Sequence, residues 1–162
     1  PTLPAGQVAN FSKGAYVLAT FGKKIPDVIL MASGSEVSLV MEAAKKLHEK
    51  GHNVRVVSVP SWELFEKQDA AYHESVLPKK VEARVAIEAG VRMGWERFVG
   101  SGGKVISIER FGASAPYKVI YEKVGLTVEN VIAQAKSVMP KKAAKPKSKV
   151  KKTAAKKTTK RK

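Results

Sequence analysis

The segment Ser33-Gly34-Ser35-Glu36 places hydroxyl groups and free backbone N–H groups directly after the apolar run Asp27–Ala32. If that run is a strand, the segment lies at its carboxyl end, where anions commonly bind in doubly wound sheets. Ser33, Gly34 and Ser35 are therefore a possible anion site. The alternative is a plain helix cap, because Ser33 and Glu36 have S-x-x-E spacing and Glu36 can itself occupy the positive end of the helix.

Histidine offers little for catalysis or for metal binding. The chain contains three: His48, His52 and His73. His48 and His52 have i, i+4 spacing, but Gly51 predicts that the helix ends between them, and no third ligand is evident. No Ser–His–Asp pattern appears, and the absence of cysteine excludes a thiolate nucleophile and a disulfide framework. Among the glutamates, Glu88 is the hardest to dismiss because it ends a predicted strand. We therefore assign no catalytic and no metal-binding residue.

Short apolar runs alternate with amphipathic segments along the chain. The runs are predicted strands: Gly14–Ala19, Asp27–Ala32, Asn53–Val59, Arg84–Glu88 and Lys104–Ile108. Between them, apolar residues recur at three- and four-residue steps, which is typical of helices with one buried face. This order predicts an α/β fold with an open, mostly parallel five-stranded sheet and helices on both faces.

Further helical segments are predicted near the end of the folded part. Met93–Phe98 is a brief helix, Pro116 begins another that runs to about Lys123, and Thr127 caps the last.

The positive charge is concentrated at the end of the chain. The formal net charge is +16, and residues Pro140–Lys162 contain eleven Lys, one Arg and no acidic residue. This composition has almost nothing to bury and predicts a disordered tail. The longest strand-like apolar run, Val28–Ala32, is far too short for the roughly 20 residues of a membrane span. No secretory signal is visible, although the chain begins with Pro1, so we expect a cytoplasmic protein without excluding an organelle.

Several blocks in this sequence resemble the C-terminal domain of transketolases. They follow the family's order and spacing from about Pro1 to Met139. The most specific are Asp27–Val37 (DVILMASGSEV), Val56–Phe65 (VVSVPSWELF), Ile108–Pro116 (IERFGASAP) and Val124–Asn130 (VGLTVEN). The resemblance covers a domain at residues 1–139, and the change in composition after it marks a Lys-rich tail at residues 140–162, which departs from the family's pattern.

The resemblance implies a dimeric parent enzyme that uses thiamine diphosphate and a divalent cation, Mg²⁺ or Ca²⁺. Such an enzyme moves two-carbon ketol units between sugar phosphates in the pentose phosphate pathway. The family's cofactor and catalytic residues belong to the upstream domains, so none is carried over, no cofactor is expected in this chain, and the isolated chain is predicted to be inactive. The implied partners are those upstream domains and a second subunit. We expect Trp62, Phe65, Phe111 and Tyr117 to form an exposed patch where the upstream domains dock.

Two other functions remain open at this point. The chain can be a free-standing α/β module that binds a small anion or nucleotide at Ser33–Glu36. It can also be a nucleic-acid-associated protein in which Lys141–Lys162 makes weak, non-specific and salt-dependent contacts.

Overall fold

One sheet organises the structure, a computed structural model that describes residues 11–140. Its strands are β1 (Tyr16–Phe21), β2 (Val28–Ala32), β3 (Val54–Ser58), β4 (Arg84–Ile87) and β5 (Lys104–Ile106). They lie side by side in the order β1-β3-β2-β4-β5. β2 to β5 run parallel, and β1 is antiparallel to β3. The predicted five-stranded, mostly parallel sheet is confirmed, although the first strand starts two residues later than expected and the last ends at Ile106.

The strands β2 and β3 show why continuous apolar runs predicted these elements correctly. Every residue of β2 and of β3 is buried, and β3 lies between two neighbours, so neither strand shows the alternation of a half-exposed strand. Alternate residues of β2 still point to different faces. Leu30 packs into the core on one face, and Ile29 and Met31 pack into the core on the other.

Six α-helices of residues 11–140 cover the two faces of the sheet. They are α1 (Val37–Glu49), α2 (Trp62–Glu66), α3 (Ala70–Val76), α4 (Glu96–Val99), α5 (Tyr117–Val124) and α6 (Val128–Val138). Residues of α1 and α6 fill one core, and residues of α2, α3 and α4 fill the other. Helices on both faces were predicted and are confirmed.

The predicted starts of the helices are confirmed in part. Thr127 caps α6, because its hydroxyl accepts a hydrogen bond from the backbone N–H of Asn130 at 3.2 Å, as predicted. The helix expected at Met93–Phe98 begins only at Glu96. Pro116 is the residue before α5, with an extended ψ of 136°, and does not lie in its first turn.

Two arginines hold loops at the edge where the parallel strands begin. Arg84 donates to the carbonyls of Val81 and Phe98 at 2.9 and 2.8 Å, and to those of Leu77 and Pro78 at 3.2 and 3.0 Å. Arg55 is buried and donates in the same way to three carbonyls. Burial lowers the pKa of both guanidinium groups from the ordinary value.

The described chain enters and leaves the domain at opposite edges of the sheet. We call the edge where β2 to β5 end the carboxyl edge, and the opposite one the amino edge. Tyr16, the first residue of β1, pairs with Ser58, the last of β3, so the chain enters at the carboxyl edge. After α6, Val138 and Pro140 line the same surface hollow as Ile25 and Asp27, which precede β2, so the described chain leaves near the amino edge. The predicted Lys-rich tail continues from there and lies outside the described residues.

Candidate functional site

Glu88 brings together side chains from three segments at the carboxyl edge. It follows β4, and its Oε2 accepts a hydrogen bond from Ser33 Oγ at 3.1 Å and another from Trp95 Nε1 at 3.2 Å. Ser33 follows β2, and Trp95 is a fully buried side chain that precedes α4. Glu88 therefore links the loops that follow two neighbouring strands.

Glu36 forms a second carboxylate centre beside the first. Its side chain is buried, and Oε1 accepts from Ser35 Oγ at 2.7 Å and from the Tyr121 hydroxyl at 2.5 Å. Burial raises the pKa of the Tyr121 phenol above 10.0, and the hydrogen bond to Glu36 raises it further. This contact connects α5 to the turn before α1.

The predicted capping box is wrong in its side-chain contacts. A 3₁₀ turn at Gly34–Glu36 does follow β2 and lead into α1, so the start of the helix was located correctly. Ser33, however, makes no side-chain capping bond, because its hydroxyl is committed to Glu88. Glu36 likewise binds Tyr121 and Ser35.

The structure places Ser33, Gly34 and Ser35 at the carboxyl edge, as the anion-site hypothesis requires. Both serine hydroxyls nevertheless donate to carboxylates, and Glu36 and Glu88 put negative charge where an anion would have to approach. That geometry disfavours an anion here, and the serine hydroxyls also do not form the plain helix cap that was the alternative, since they belong to a polar cluster with the two glutamates. The anion site stays a prediction.

These groups do not form a catalytic constellation. His48 Nδ1 lies 3.1 Å from the carbonyl oxygen of His52, and His73 stacks on Phe65 with ring centroids 4.3 Å apart. Neither contact involves the serines or glutamates at the carboxyl edge. Within residues 11–140, no group of three or more His, Cys, Asp or Glu side chains could hold a metal ion. This part of the chain therefore offers no donor set that fits a divalent cation.

An apolar surface lies at the same edge, on the loops that follow β4 and β5 and at the start of α5. Phe111 is fully exposed, Met93 is 74% exposed and Tyr117 is 66% exposed. We call the five residues concerned the carboxyl-edge surface: Val91, Met93, Phe111, Tyr117 and Val119. The loops after β4 and β5 are neighbours, because the Ile108 N–H donates to the Gly90 carbonyl at 2.8 Å, and exposed apolar side chains on neighbouring loops are candidates for an interface.

Two of the four aromatic residues expected on a docking patch are confirmed as exposed. The expectation for Phe65 is wrong, because α2 directs this ring into the core, where it is 1% exposed. Trp62 is half-buried, and its ring packs edge-on against Trp95 with centroids 5.4 Å apart. The two exposed members of the expected patch therefore both follow β5, and the two on α2 are buried or half-buried.

The α5 helix that carries part of this surface is loosely covered. None of its residues is buried, and Tyr121 is only half-buried. A groove of about 810 Å³ separates it from α1 and is lined by Leu39, Glu42, Tyr117 and Tyr121, among others.

No helix among residues 11–140 is long and apolar enough to cross a membrane.

Comparisons with known proteins agree on one family. The family model described as the transketolase-like TK C-terminal domain matches residues 14–127. A chloroplastic transketolase of Craterostigma plantagineum is 51% identical over 141 residues, which are 86% of this chain and 27% of that protein. A transketolase of Nostoc sp. is 49% identical over 140 residues, 86% of this chain and 21% of the relative.

Solved structures give the same result. Transketolase from Leishmania mexicana superposes with a TM-score of 0.72 and 40% identity, covering 79% of this chain and 18% of that one. The chain thus spans about a fifth to a quarter of the length of the curated relatives it matches.

Proposed function

This chain belongs to the transketolase family as its C-terminal domain, and we propose that it supports the catalytic part and the dimer of a longer enzyme. The observation that carries the proposal is the match of residues 14–127 to the family's C-terminal domain model. These two relatives are about three to four times as long as this chain, which leaves room for catalytic domains elsewhere in such a polypeptide.

The proposed parent enzyme transfers two-carbon ketol units between sugar phosphates. It uses thiamine diphosphate and a divalent cation, either Mg²⁺ or Ca²⁺. Support comes from the relatives, which are named transketolases. Since residues 11–140 contain no group of side chains that fits the metal, we assign the cation and the thiamine diphosphate to the upstream domains and derive no chemical step from this chain.

We expect the isolated chain to have no transketolase activity at any concentration of thiamine diphosphate. A coupled assay with xylulose 5-phosphate and ribose 5-phosphate tests this directly. Turnover that scales with the amount of purified chain would overturn the proposal.

A chimaera supplies the positive arm of the test. The chain would replace the matching C-terminal region of the Nostoc transketolase, to which it is 49% identical. We expect the chimaera to sediment as a dimer and to transfer ketol units when thiamine diphosphate and Mg²⁺ are added. A folded chimaera that is inactive, beside an active intact Nostoc enzyme, would argue against the proposed role.

Three narrower expectations stay predictions. The domain boundary between residues 139 and 140 follows the end of α6 at Val138. A cytoplasmic location stands beside a relative that is named chloroplastic. Nucleic-acid contact through Lys141–Lys162 concerns residues that the structure does not describe, and the comparisons favour neither this function nor a free-standing anion-binding module.

A further inference from the structure

We propose that the amino edge of the sheet is a basic face that binds the phosphate backbone of a nucleic-acid duplex. The inference goes beyond the proposed function and does not depend on it. It concerns the folded part of the chain, which makes it distinct from contact through Lys141–Lys162. Its anchors are six exposed residues that we call the amino-edge lysines: Lys23, Lys24, Lys50, Lys79, Lys80 and Lys104.

The topology of the sheet brings these lysines to one edge. Because β2 to β5 run parallel, the segments that precede them all lie at the amino edge. Three strand spacings separate β3 from β5, which is about 14 Å at roughly 4.8 Å each. Lysines lie before each strand, or at its first residue, in the order β3, β2, β4 and β5: Lys50, then Lys23 and Lys24, then Lys79 and Lys80, then Lys104. They therefore form a row across the sheet.

The charge of this row is not balanced by acidic residues. The segments that carry the six lysines contain three acidic residues: Asp27, Glu49 and Glu82. Within residues 11–140 the ion pairs involve other cations, so no amino-edge lysine is neutralised by one. Lys50 lies at the end of α1, where a cation offsets the helix dipole, but Lys23 and Lys104 lie at no helix end. Unpaired cations gathered on one edge attract a polyanion.

Two arginines hold the backbone of the loops that carry these lysines. Arg55 donates to the Lys24 carbonyl at 3.0 Å. Arg84 donates to the carbonyl of Pro78, the residue before Lys79, at 3.0 Å. The loop backbone is thus fixed while the lysine side chains are exposed, so binding requires little ordering of the loops.

A duplex fits this face better than a membrane or a single strand does. Duplex DNA carries one negative charge per roughly 1.7 Å of its axis, so a row of about 14 Å lies over several phosphates at once. The segments contain no Phe, Trp or Tyr, and Ile25 is their one exposed large apolar residue. Membrane-surface binding relies on a buried apolar face, and single-strand binding relies on aromatic stacking. Contacts with phosphates alone do not depend on the base sequence.

Charge-matched variants of the full 162-residue chain test the inference. Lys79→Gln with Lys80→Gln removes two charges from the amino edge. The control, Lys118→Gln with Lys123→Gln, removes two exposed charges from α5. Both double variants keep the Lys-rich tail and have the same net charge, so they differ only in where the charge is lost. Fluorescence anisotropy with a labelled DNA duplex measures the affinity over a series of KCl concentrations.

We expect the amino-edge variant to bind at least about ten-fold more weakly than the wild type at about 0.1 M KCl. The slope of log affinity against log salt concentration should become shallower by about 1.8, roughly 0.9 for each lost phosphate contact. The α5 variant should change the affinity by less than about two-fold. Lys23→Gln with Lys24→Gln is a second amino-edge variant and should behave as the first does, and two duplexes of unrelated sequence should give the same result.

Three outcomes would overturn the inference. The first is an equal loss of affinity in the amino-edge and α5 variants, which would mean that only the net charge matters. The second is an unchanged affinity in both amino-edge variants, which would assign all duplex binding to the tail. The third is tighter binding to vesicles of phosphatidylserine and phosphatidylcholine in equal parts than to the duplex. None of these results alters the activity expected of the Nostoc chimaera, so the inference and the proposed function fail separately.

Discussion

The Tyr121 hydroxyl donates a hydrogen bond to the Glu36 carboxylate at 2.5 Å, joining α5 to the turn that precedes α1. Glu36 is buried, and its two hydrogen-bond donors, Tyr121 and Ser35, are both neutral hydroxyls. A buried carboxylate depends on such donors because they replace the water that it has lost. Tyr121 thus fixes the position of a helix that has no buried residue of its own.

Replacing Tyr121 with Phe should lower the free energy of unfolding by about 1–2 kcal/mol near pH 8, because the carboxylate loses a donor. Tyr117→Phe is the matched control, since that ring is 66% exposed, and it should change stability by less than about 0.5 kcal/mol. Urea denaturation of the three proteins measures both effects.

The pH dependence of this difference follows from the raised pKa of Tyr121. Below the unfolded-state value of 10.0 both states hold the phenolic proton, and the full contribution is present. Above 10.0 the unfolded state releases the proton first, so the contribution declines as the pH rises through the folded pKa. The gap between wild type and Tyr121→Phe should therefore narrow above pH 10, and a gap that widens there would contradict this assignment. The pKa of Tyr72 is also raised by burial. Because Tyr72 is present in both the wild type and Tyr121→Phe, its titration does not affect the difference between them.

The sequence revealed those parts of the fold whose physical cause is local. The strands β2 and β3 are apolar throughout because both faces are covered, and Thr127 caps the helix that immediately follows it. Phe65 was misplaced because α2 has only five residues, too few to show which face is buried. The hydroxyl of Ser33 was misassigned because its partner Glu88 is 55 positions away in the chain.

The role of Arg84 could not be predicted either, because it depends on contacts with residues outside its own strand. Its side chain binds four carbonyls, three in the segment before β4 and one at Phe98, and nothing in the local sequence indicates this. The exposure of Phe111 was predicted from the resemblance to a larger protein, because the local sequence alone does not show whether this ring faces solvent.

Replacing Arg84 with Ala should lower the free energy of unfolding by about 2–4 kcal/mol, because several carbonyls lose their only charged donor. Arg84→Lys should recover little of the loss, since one ammonium cannot reproduce the fork of the guanidinium. Arg110→Ala is the control, because Arg110 is exposed and makes one long bond, of 3.3 Å, to the Lys123 carbonyl. Equal losses for Arg84→Ala and Arg110→Ala would show that the carbonyl contacts contribute little.

Gly94 is predicted to be intolerant of any side chain. Its φ is +93°, and an added Cβ would lie 2.4 Å from the Trp62 ring. Gly100 also has a positive φ, of +70°, but an added Cβ would meet nothing within 4 Å. Gly100→Ala should therefore cost about 1 kcal/mol from backbone strain alone, and Gly94→Ala about 2–3 kcal/mol more. Thermal unfolding of both variants measures the difference, and equal costs would mean that Trp62 moves aside freely.

Phe111 and Phe65 should respond oppositely to truncation, although both were expected on the same exposed patch. Phe111→Ala removes a fully exposed ring and should change the free energy of unfolding of the isolated chain by less than about 0.5 kcal/mol. Phe65→Ala removes a ring that packs beside His73 and Phe98 in the core, and should cost about 3–5 kcal/mol. Chemical denaturation of the two variants and of the wild type measures both changes in the free energy of unfolding. A loss of several kcal/mol for Phe111→Ala would mean that this ring stabilises the domain itself, and would remove it as an anchor for a neighbouring domain.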